Sequence, residues 1–187
     1  TMFMKIYDLI LYNGEDIIDL RLKLCSKIIE KFIIVEFDRT HQGQKKDYTF
    51  KINAFKDFKN KIIYKKKSIT DTQNLKFKSS WDRETYQRNS LIEGVNIEDN
   101  DLIILSDVDE IINPNRINLN LDTVSLYECL NFRFYGNYIN LTNPYWPIPI
   151  STTYKIAKKV GLQNLRKTYM AYKKGRKYNI YRKNIDN

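Results

Sequence analysis

The sequence of 187 residues predicts an α/β fold, in which a mostly parallel sheet is flanked by helices within a single domain. Short apolar runs rich in β-branched residues, typical of buried strands, alternate with segments of helical periodicity through residues 1–112. These segments follow the order β-α-β-β-α-β. Because parallel strands are joined by helical crossovers, this order favours one parallel sheet with right-handed connections.

The elements of residues 1–112 are bounded by the residues that end each apolar run. Asn13-Gly14 closes the first strand, acids occupy the first turn of the helix after it, and Glu36 ends the second strand. Trp81, in a later helix, is predicted to be a core residue. The predicted elements are a strand over 5–13, a helix over 15–29, a strand over 32–35, a short helix over 54–58, a strand over 61–65, a helix over 80–94 and a strand over 102–105.

The rest of the chain has a different pattern, rich in aromatic and basic residues. The prolines after residue 143 fix their own backbone and restrict the residue before each of them. The predicted elements here are a turn or short helix at 113–115, one or two aromatic-rich strands within 124–141, a rigid loop over 143–149 and a basic helical stretch over 154–172 that breaks at Gly161.

Composition restricts the class of protein. The net charge of +10 favours anionic partners, although most of the C-terminal lysines and arginines are expected to be solvated surface. Fourteen tyrosines supply rings with polar tips that suit a carbohydrate or nucleoside site. Cys25 and Cys129 form no disulfide framework, so a reducing compartment is expected. No apolar stretch reaches membrane-spanning length, and the N-terminus lacks the apolar run of a signal peptide.

Three acidic side chains follow the strand over 102–105. Asp107, Asp109 and Glu110 lie where that strand leaves the sheet. In open α/β sheets ligands bind at the carboxyl ends of strands, and crowded carboxylates repel one another unless a cation is present. The pattern therefore indicates a divalent ion, Mg²⁺ or Mn²⁺. An isolated D-x-D is also typical of a solvated acidic turn, so the surrounding segments decide between the two interpretations.

Four blocks of sequence occur in order between residues 5 and 111, and their combination is specific where each alone is weak. They are Lys5-Ile6-Tyr7-Asp8 with Glu15-Asp16-Ile17-Ile18-Asp19-Leu20-Arg21-Leu22, then Phe32-Ile33-Ile34-Val35-Glu36 with Thr40-His41-Gln42-Gly43, then Trp81-Asp82-Arg83-Glu84 with Gln87-Arg88-Asn89, and finally Ser106-Asp107-Val108-Asp109-Glu110-Ile111. Together they resemble glycosyltransferase family 17, the inverting β-1,4-mannosyl-glycoprotein 4-β-N-acetylglucosaminyltransferase family. Trp146 and Thr153-Tyr154 fit that family more loosely, and with them the resemblance covers roughly the first four-fifths of the chain.

The resemblance implies a GT-A fold, a Rossmann-like sheet on which a D-x-D motif holds a metal ion and the diphosphate of a nucleotide sugar. It suggests a UDP-sugar donor, with UDP-GlcNAc the first candidate, and a glycan or glycoprotein acceptor; no nucleic acid is expected as a partner. Residues 1–112 would then bind the nucleotide sugar, and residues 113–187 would form the acceptor side. The missing membrane anchor fits a cytoplasmic enzyme of a microbe or virus, or an excised domain, better than an intact animal secretory enzyme.

The acidic motif supplies the expected metal-binding and catalytic residues. Asp109 is the expected direct metal ligand, and Asp107 is a second ligand or contacts the ribose, the sugar or a metal-bound water. Glu110 orients these ligands, contacts the sugar or acts as a base. Inverting transfer needs a base near the acceptor hydroxyl, and the sequence does not choose among Glu110, Asp122 and Glu128.

Glu36, Arg88 and Asn89 are the expected donor contacts outside the motif. Glu36 is positioned to accept a hydrogen bond from a uracil ring or is an ordinary charge at a strand end. Arg88 can bind the diphosphate bidentately or pair with Glu84 one helical turn earlier. His41 is a generic loop residue or a contact to the donor or acceptor.

The sequence departs from the family pattern in two places. Ile112 stands where the family usually has proline, which is expected to alter only the turn. The family carries a G-W-H block beyond the basic helix, and the printed sequence lacks it, so we expect a truncated sequence or an altered activity.

Two other classes of protein stay open as alternatives. A phosphatase of the haloacid dehalogenase type would need a hydroxyl side chain where Ile111 stands. A non-catalytic basic module would bind nucleic acid or acidic glycan.

Overall fold

A six-stranded sheet forms the centre of the structure, a computed structural model that describes residues 4–40, 42–69, 77–133, 138–142 and 144–173. The strands, in chain order, are β1 (Ile6–Tyr12), β2 (Lys31–Phe37), β3 (Ile62–Lys67), β4 (Leu102–Leu105), β5 (Ser125–Leu126), β6 (Cys129–Leu130), β7 (Phe132–Arg133), β8 (Tyr138–Ile139), β9 (Tyr145–Trp146) and β10 (Ile150–Thr153). The helices are α1 (Ile18–Cys25), α2 (Ser80–Asn89), α3 (Tyr154–Val160), α4 (Leu162–Arg166) and α5 (Thr168–Lys173). Short 3₁₀ segments cover Ile52–Ala54, Lys56–Lys61, Ser90–Ile92 and Pro114–Arg116.

The sheet has the strand order β3-β2-β1-β4-β10-β5. The pairs β3–β2, β2–β1 and β1–β4 are parallel, which confirms the predicted α/β class with a mostly parallel sheet. β10 pairs antiparallel with both β4 and β5. Two small antiparallel sheets, β6–β9 and β7–β8, lie outside the main sheet. The carboxyl ends of β1, β2 and β4 therefore meet at one edge of the main sheet.

β10 is a sheet strand that the sequence did not predict. It contains one aliphatic residue followed by Ser151, Thr152 and Thr153, so it lacks an apolar run, yet all four residues are buried. Hydrogen bonds satisfy its polar groups, since Ser151 Oγ lies 2.6 Å from Tyr127 Oη and Thr152 Oγ1 donates to the Thr123 carbonyl at 3.1 Å. Burial of these hydroxyls is therefore compatible with a sheet interior.

Helices cover both faces of the sheet, which explains why β2 and β4 are buried on both sides. On one face Ile18, Leu22 and Cys25 of α1 pack with alternate strand residues such as Ile10 and Ile34. The other face is covered by the end of α2 and by α3 and α4. Its buried residues include Leu9, Ile33, Leu105, Leu91, Ala157, Leu162 and Leu165.

The helices are shorter than the sequence predicted. α1 covers eight residues of the predicted 15–29, and the basic stretch over 154–172 is divided into α3, α4 and α5. The predicted break at Gly161 is confirmed, with a φ of +85° that favours glycine. α2 begins with a capping box between Ser79 and Asp82. The prediction that Trp81 is a core residue is wrong: it is 60% exposed, because the first turn of α2 lies ahead of its buried residues Gln87 and Arg88.

Within the described ranges, no helix has the length and the apolar character that crossing a bilayer requires.

Candidate functional site

A cleft of about 420 Å³ opens at the sheet edge where β1, β2 and β4 end. Its walls come from these strand ends, from the loop after β2 and from α2. The residues that line it are Leu11, Tyr12, Asn13, Glu15, Phe37, Arg39, Lys46, Glu84, Gln87, Arg88, Asp107, Val108 and Asp109. The cleft thus brings cationic side chains beside the acidic motif predicted from the sequence.

Asp107 lies between two arginines from different helices. Its Oδ1 accepts a hydrogen bond from Arg88 Nη1 at 3.2 Å, and its Oδ2 accepts one from Arg166 Nη2 at 2.6 Å. Burial on its own would raise the pKa of Asp107, but the charges of Arg166 and Arg88 hold that pKa below its usual range. Asp107 is therefore a carboxylate whose charge is already balanced by the chain itself.

Glu110 is buried, and both of its oxygens are occupied. Oε1 accepts from Trp146 Nε1 at 2.9 Å and from Arg166 Nη2 at 2.8 Å. Oε2 accepts from Arg166 Nη1 at 2.7 Å and from the Asp107 backbone N–H at 2.8 Å. Among the roles predicted for Glu110, these four hydrogen bonds favour positioning, in which Glu110 fixes Arg166 and the motif, over a sugar contact or a base.

Asp109 is the exposed acid of the motif. Its carboxylate has no hydrogen bond or ion pair from any other residue in the described part of the chain. Partial burial and the neighbouring charges of Glu110 and Asp107 raise the pKa of Asp109 above its usual range. This unshared charge at the cleft makes Asp109 the carboxylate best able to take an external cation.

Arg21 holds the backbone of the motif from the interior of the protein, a role that the sequence did not predict. It is fully buried in α1 and forms a bidentate pair with Asp8 of β1, Nε to Oδ2 at 2.9 Å and Nη2 to Oδ1 at 2.6 Å. Nη2 also donates to Ser106 Oγ at 2.7 Å, and Nη1 donates to the Asp107 carbonyl at 2.6 Å. Two features of the sequence could have indicated this pair. Asp8 is a lone acid in an apolar strand, and Arg21 lies on the apolar face of a helix.

Glu36 lies inside the protein at the end of β2, with no exposed surface. Its two oxygens accept hydrogen bonds from the Lys46 ammonium, the Thr49 backbone and hydroxyl, the Phe50 backbone and the Tyr64 hydroxyl, at 2.6–3.1 Å. These contacts favour a structural role, in which Glu36 anchors the segment 46–50 to the sheet. The predicted contact to a uracil ring stays an untested prediction.

The variant Glu36→Gln is expected to lower the free energy of unfolding at pH 7 by about 2 kcal/mol, because it removes charge-assisted hydrogen bonds. Burial raises the pKa of Glu36, but the hydrogen bonds from Tyr64, Thr49, Lys46 and Phe50 bring it below its ordinary value of 4.5. The stabilisation by a carboxylate of lowered pKa is present above its unfolded-state pKa and is lost as the pH falls through the folded-state pKa. In urea titrations the difference between wild type and variant should therefore shrink below pH 4.5. A pH-independent difference would contradict this assignment, and Glu30→Gln, at an exposed acid, is the control.

Arg88 makes the predicted pair with Glu84, and its predicted contact to a diphosphate stays an untested prediction. Nη2 donates to Glu84 Oε1 at 3.1 Å, one turn earlier in α2, while Nη1 reaches Asp107 in the cleft. Nε donates to Gln163 Oε1 at 2.8 Å. Asn89, the other predicted donor contact on α2, accepts a hydrogen bond from the Gln163 backbone at 3.3 Å and thereby joins α2 to α4. Arg88 is thus a cleft residue, and Asn89 contributes to helix packing.

Two further acids had been considered as the catalytic base. β5 runs in the same direction as β4, because β10 pairs antiparallel with both. Glu128 follows β5, on the edge of the sheet that carries the acidic motif, and the thiol of its neighbour Cys129 lies 3.7 Å from the Ile111 carbonyl. Asp122 precedes β5 and so belongs to the opposite edge. Both Glu128 and Asp122 are exposed.

Some sequence predictions concern residues outside the described part of the chain. These are His41, residues 134–137 of the aromatic-rich segment 124–141, and the basic residues from Lys174 onwards.

The donor set of the motif suits a hard divalent cation such as Mg²⁺ or Mn²⁺, since it consists of carboxylate oxygens. Across the described ranges, however, no group of three or more His, Cys, Asp or Glu side chains is arranged to hold a metal ion. Asp109 offers an unshared carboxylate, whereas those of Asp107 and Glu110 are bound by arginines. The residues therefore fit an ion held by one protein carboxylate together with oxygens from the substrate, the usual arrangement for Mg²⁺ with phosphates.

Comparison with known protein families decides the class of enzyme. The model of Glycosyltransferase family 17 matches residues 1–140, which include the cleft-lining strand ends and the whole acidic motif. The chain belongs to glycosyltransferase family 17. It is thus a glycosyltransferase, as the sequence blocks indicated, and this membership favours the transferase over the phosphatase and the non-catalytic module. No curated protein and no solved structure matches the chain.

The matched segment does not contain every residue that binds the acidic motif. Trp146 and Arg166, which hold Glu110 in this glycosyltransferase, lie beyond residue 140. Arg166 is one of the C-terminal basic residues, most of which the sequence predicts to be solvated surface, yet it is buried with 8% exposure. Its position five residues after Gly161 and next to the apolar Leu165 gave no sign of a partner 56 residues away.

Proposed function

We propose that this family 17 glycosyltransferase moves a sugar, with GlcNAc the first candidate, from a UDP-sugar to a glycan acceptor by a metal-dependent inverting reaction on a GT-A scaffold. The observation that carries the proposal is the cleft at the carboxyl edge of the sheet. The unshared carboxylate of Asp109 lines this cleft together with Arg88, whose guanidinium is held there by Asp107. Open α/β sheets bind their ligands at this edge.

The size and charge of the cleft support a nucleotide-sugar donor. Its volume of about 420 Å³ is within the range of small-molecule sites. Arg39, Lys46 and Arg88 line it, and guanidinium groups bind phosphate oxygens bidentately. Tyr12 and Phe37 add aromatic surface at the ends of β1 and β2. Together these side chains offer contacts for a diphosphate and for the flat or apolar faces of a nucleoside.

Two acids of the motif and the two arginines that contact it from α1 and α2 have separate proposed tasks. Asp109 holds a Mn²⁺ or Mg²⁺ ion, which when bound would neutralise charge on the departing nucleoside diphosphate. Arg88 orients the diphosphate from α2. Glu110 and Arg21 keep the backbone of the motif in place through the Asp107 N–H and carbonyl. Preorganisation of this kind keeps the charge-stabilising groups aimed at the reacting diphosphate.

Glu128 is the proposed general base. Inverting transfer is a single displacement, so one group must remove the proton of the acceptor hydroxyl as the bond to the sugar forms. Glu110 is buried, and Asp122 belongs to the far edge of the sheet, whereas Glu128 is exposed on the edge that carries the motif. Of the three acids, only Glu128 is both exposed and on the sheet edge that carries the motif.

A thermal-shift experiment tests the donor and metal together. UDP-GlcNAc with Mn²⁺, at about a hundred times the dissociation constant, is expected to raise the melting temperature by about 5–10 °C. A panel of other nucleotide sugars at the same concentration identifies the preferred donor. Equal stabilisation without metal would contradict metal dependence, and the absence of any shift across the panel would contradict a nucleotide-sugar donor.

The variant Glu128→Gln is expected to lower kcat for transfer by about 10²–10⁴-fold, because the amide cannot accept the proton of the acceptor hydroxyl. The KM for the donor should change little, since Glu128 lies outside the donor cleft. Steady-state kinetics with the donor found above measures both quantities. Asp122→Asn is the matched control at an exposed acid of the opposite edge. Full activity of Glu128→Gln would exclude this residue as the base.

A further inference from the structure

Arg166 occupies the centre of the acidic motif. Nη1 donates to Glu110 Oε2 at 2.7 Å and to the Ile148 carbonyl at 3.3 Å, while Nη2 donates to Asp107 Oδ2 at 2.6 Å and to Glu110 Oε1 at 2.8 Å. One guanidinium therefore bridges two of the three acids of the motif. The third acid, Asp109, has no partner from another described residue.

The contact with Asp107 is the more exchangeable of the two. The Asp107 side chain is 46% exposed at the cleft, whereas that of Glu110 is 10% exposed and is also held by Trp146. A diphosphate in the cleft would offer the guanidinium oxygens of higher negative charge than Asp107 can. Arg166 can therefore keep its bidentate pair with Glu110 while the Nη2 contact moves from Asp107 to an incoming anion.

We propose that Arg166 is the internal counter-ion of the acidic motif: it withholds Asp107 from divalent cations until an incoming diphosphate takes over its Nη2 contact. This inference rests on the proposed function, because it assumes a cleft that accepts a divalent cation and a nucleoside diphosphate. It assigns a functional role to a residue outside the segment that the family model matches. It also makes cation and diphosphate binding mutually reinforcing, since each favours the same released state of Asp107.

Direct titration of Mn²⁺, followed by the electron paramagnetic resonance of the free ion, tests the first half of the proposal. Arg166→Gln, without nucleotide, is expected to bind Mn²⁺ about tenfold more tightly than wild type, a typical size for coupling between neighbouring ligands. Arg166→Lys keeps the charge and should stay near wild type. Lys167→Gln, which removes an equal charge from the next, exposed position, is the control for long-range electrostatics. In Arg166→Gln/Asp107→Asn the gain should vanish.

Binding of UDP in the presence of saturating Mn²⁺ tests the second half. Calorimetry is expected to show affinity for UDP falling about tenfold in Arg166→Gln, so that the variant changes the two affinities in opposite directions. A purely structural role for Arg166 predicts that both affinities fall. Unchanged or weaker Mn²⁺ binding by Arg166→Gln would overturn the inference.

Arg166→Gln leaves Glu110 buried without its cation and can destabilise the fold. The double variant Arg166→Gln/Glu110→Gln removes both charges, so no buried carboxylate is left at position 110 without its cation, and it too should bind Mn²⁺ more tightly than wild type despite its lost carboxylate. Weaker binding by this folded double variant would overturn the inference. If wild type and all variants bind neither Mn²⁺ nor UDP, the proposed function fails as well, whereas wild-type binding that is insensitive to Arg166 overturns the inference alone.

Discussion

Replacing Asp109 with asparagine is expected to lower the rate of sugar transfer by about 10³-fold, equivalent to several kcal/mol of charge stabilisation. The physical reason is the division of labour in the motif, where arginines bind Asp107 and Glu110 while Asp109 has no partner from another described residue. An amide in its place has one neutral oxygen and attracts a hard cation weakly. The variant should therefore lose the Mn²⁺-dependent part of the thermal shift produced by the donor.

The same measurement on two other variants sharpens this result. Asp122→Asn, at an exposed acid on the opposite sheet edge, should retain the full Mn²⁺-dependent shift. Asp107→Asn should reduce the shift less than Asp109→Asn does, because Arg88 still balances part of the charge of Asp107, whereas Asp109 has no partner from another described residue. If Asp109→Asn kept the Mn²⁺-dependent shift and Asp107→Asn abolished it, the metal ligand would be Asp107 instead.

Arg21→Ala is expected to lower the free energy of unfolding by about 3–5 kcal/mol, because it leaves the buried carboxylate of Asp8 without its partner. The side chains of this pair are each 2% exposed, and the guanidinium also holds Ser106 and the Asp107 carbonyl. Urea denaturation measures the loss. The variant should also weaken donor binding under conditions in which it remains folded, because the backbone of the motif loses a support.

Lys23→Ala provides the matched control on the same helix. Lys23 pairs with Asp19 at 2.6 Å, but the two side chains are 61% and 49% exposed. Solvent screens such a pair, so its loss is expected to cost no more than about 0.5 kcal/mol. Equal and small effects of Arg21→Ala and Lys23→Ala would show that the buried pair contributes little to stability.

The strands of the parallel sheet were predictable from the sequence, and so was the place of the acidic motif. Apolar runs such as 102–105 are local signals, and the acids that follow a buried strand must emerge at its carboxyl end. β10 was not predictable in this way, because Ser151, Thr152 and Thr153 give no apolar run. Their burial depends on hydrogen bonds to Tyr127 and Thr123, which the fold brings to them from elsewhere in the chain.

The roles of the motif residues were also predictable from the sequence only in part. The sequence alone determined which acids stand at the end of β4, and its ordered blocks indicated the glycosyltransferase family that the chain belongs to. Only the tertiary structure decided that Asp107 and Glu110 are bound by Arg166, 59 and 56 residues away, while Asp109 is not. Periodicity and spacing describe neighbours along the chain, whereas the partner of a charge is set by the packing of distant elements, here α4 against the edge of the sheet.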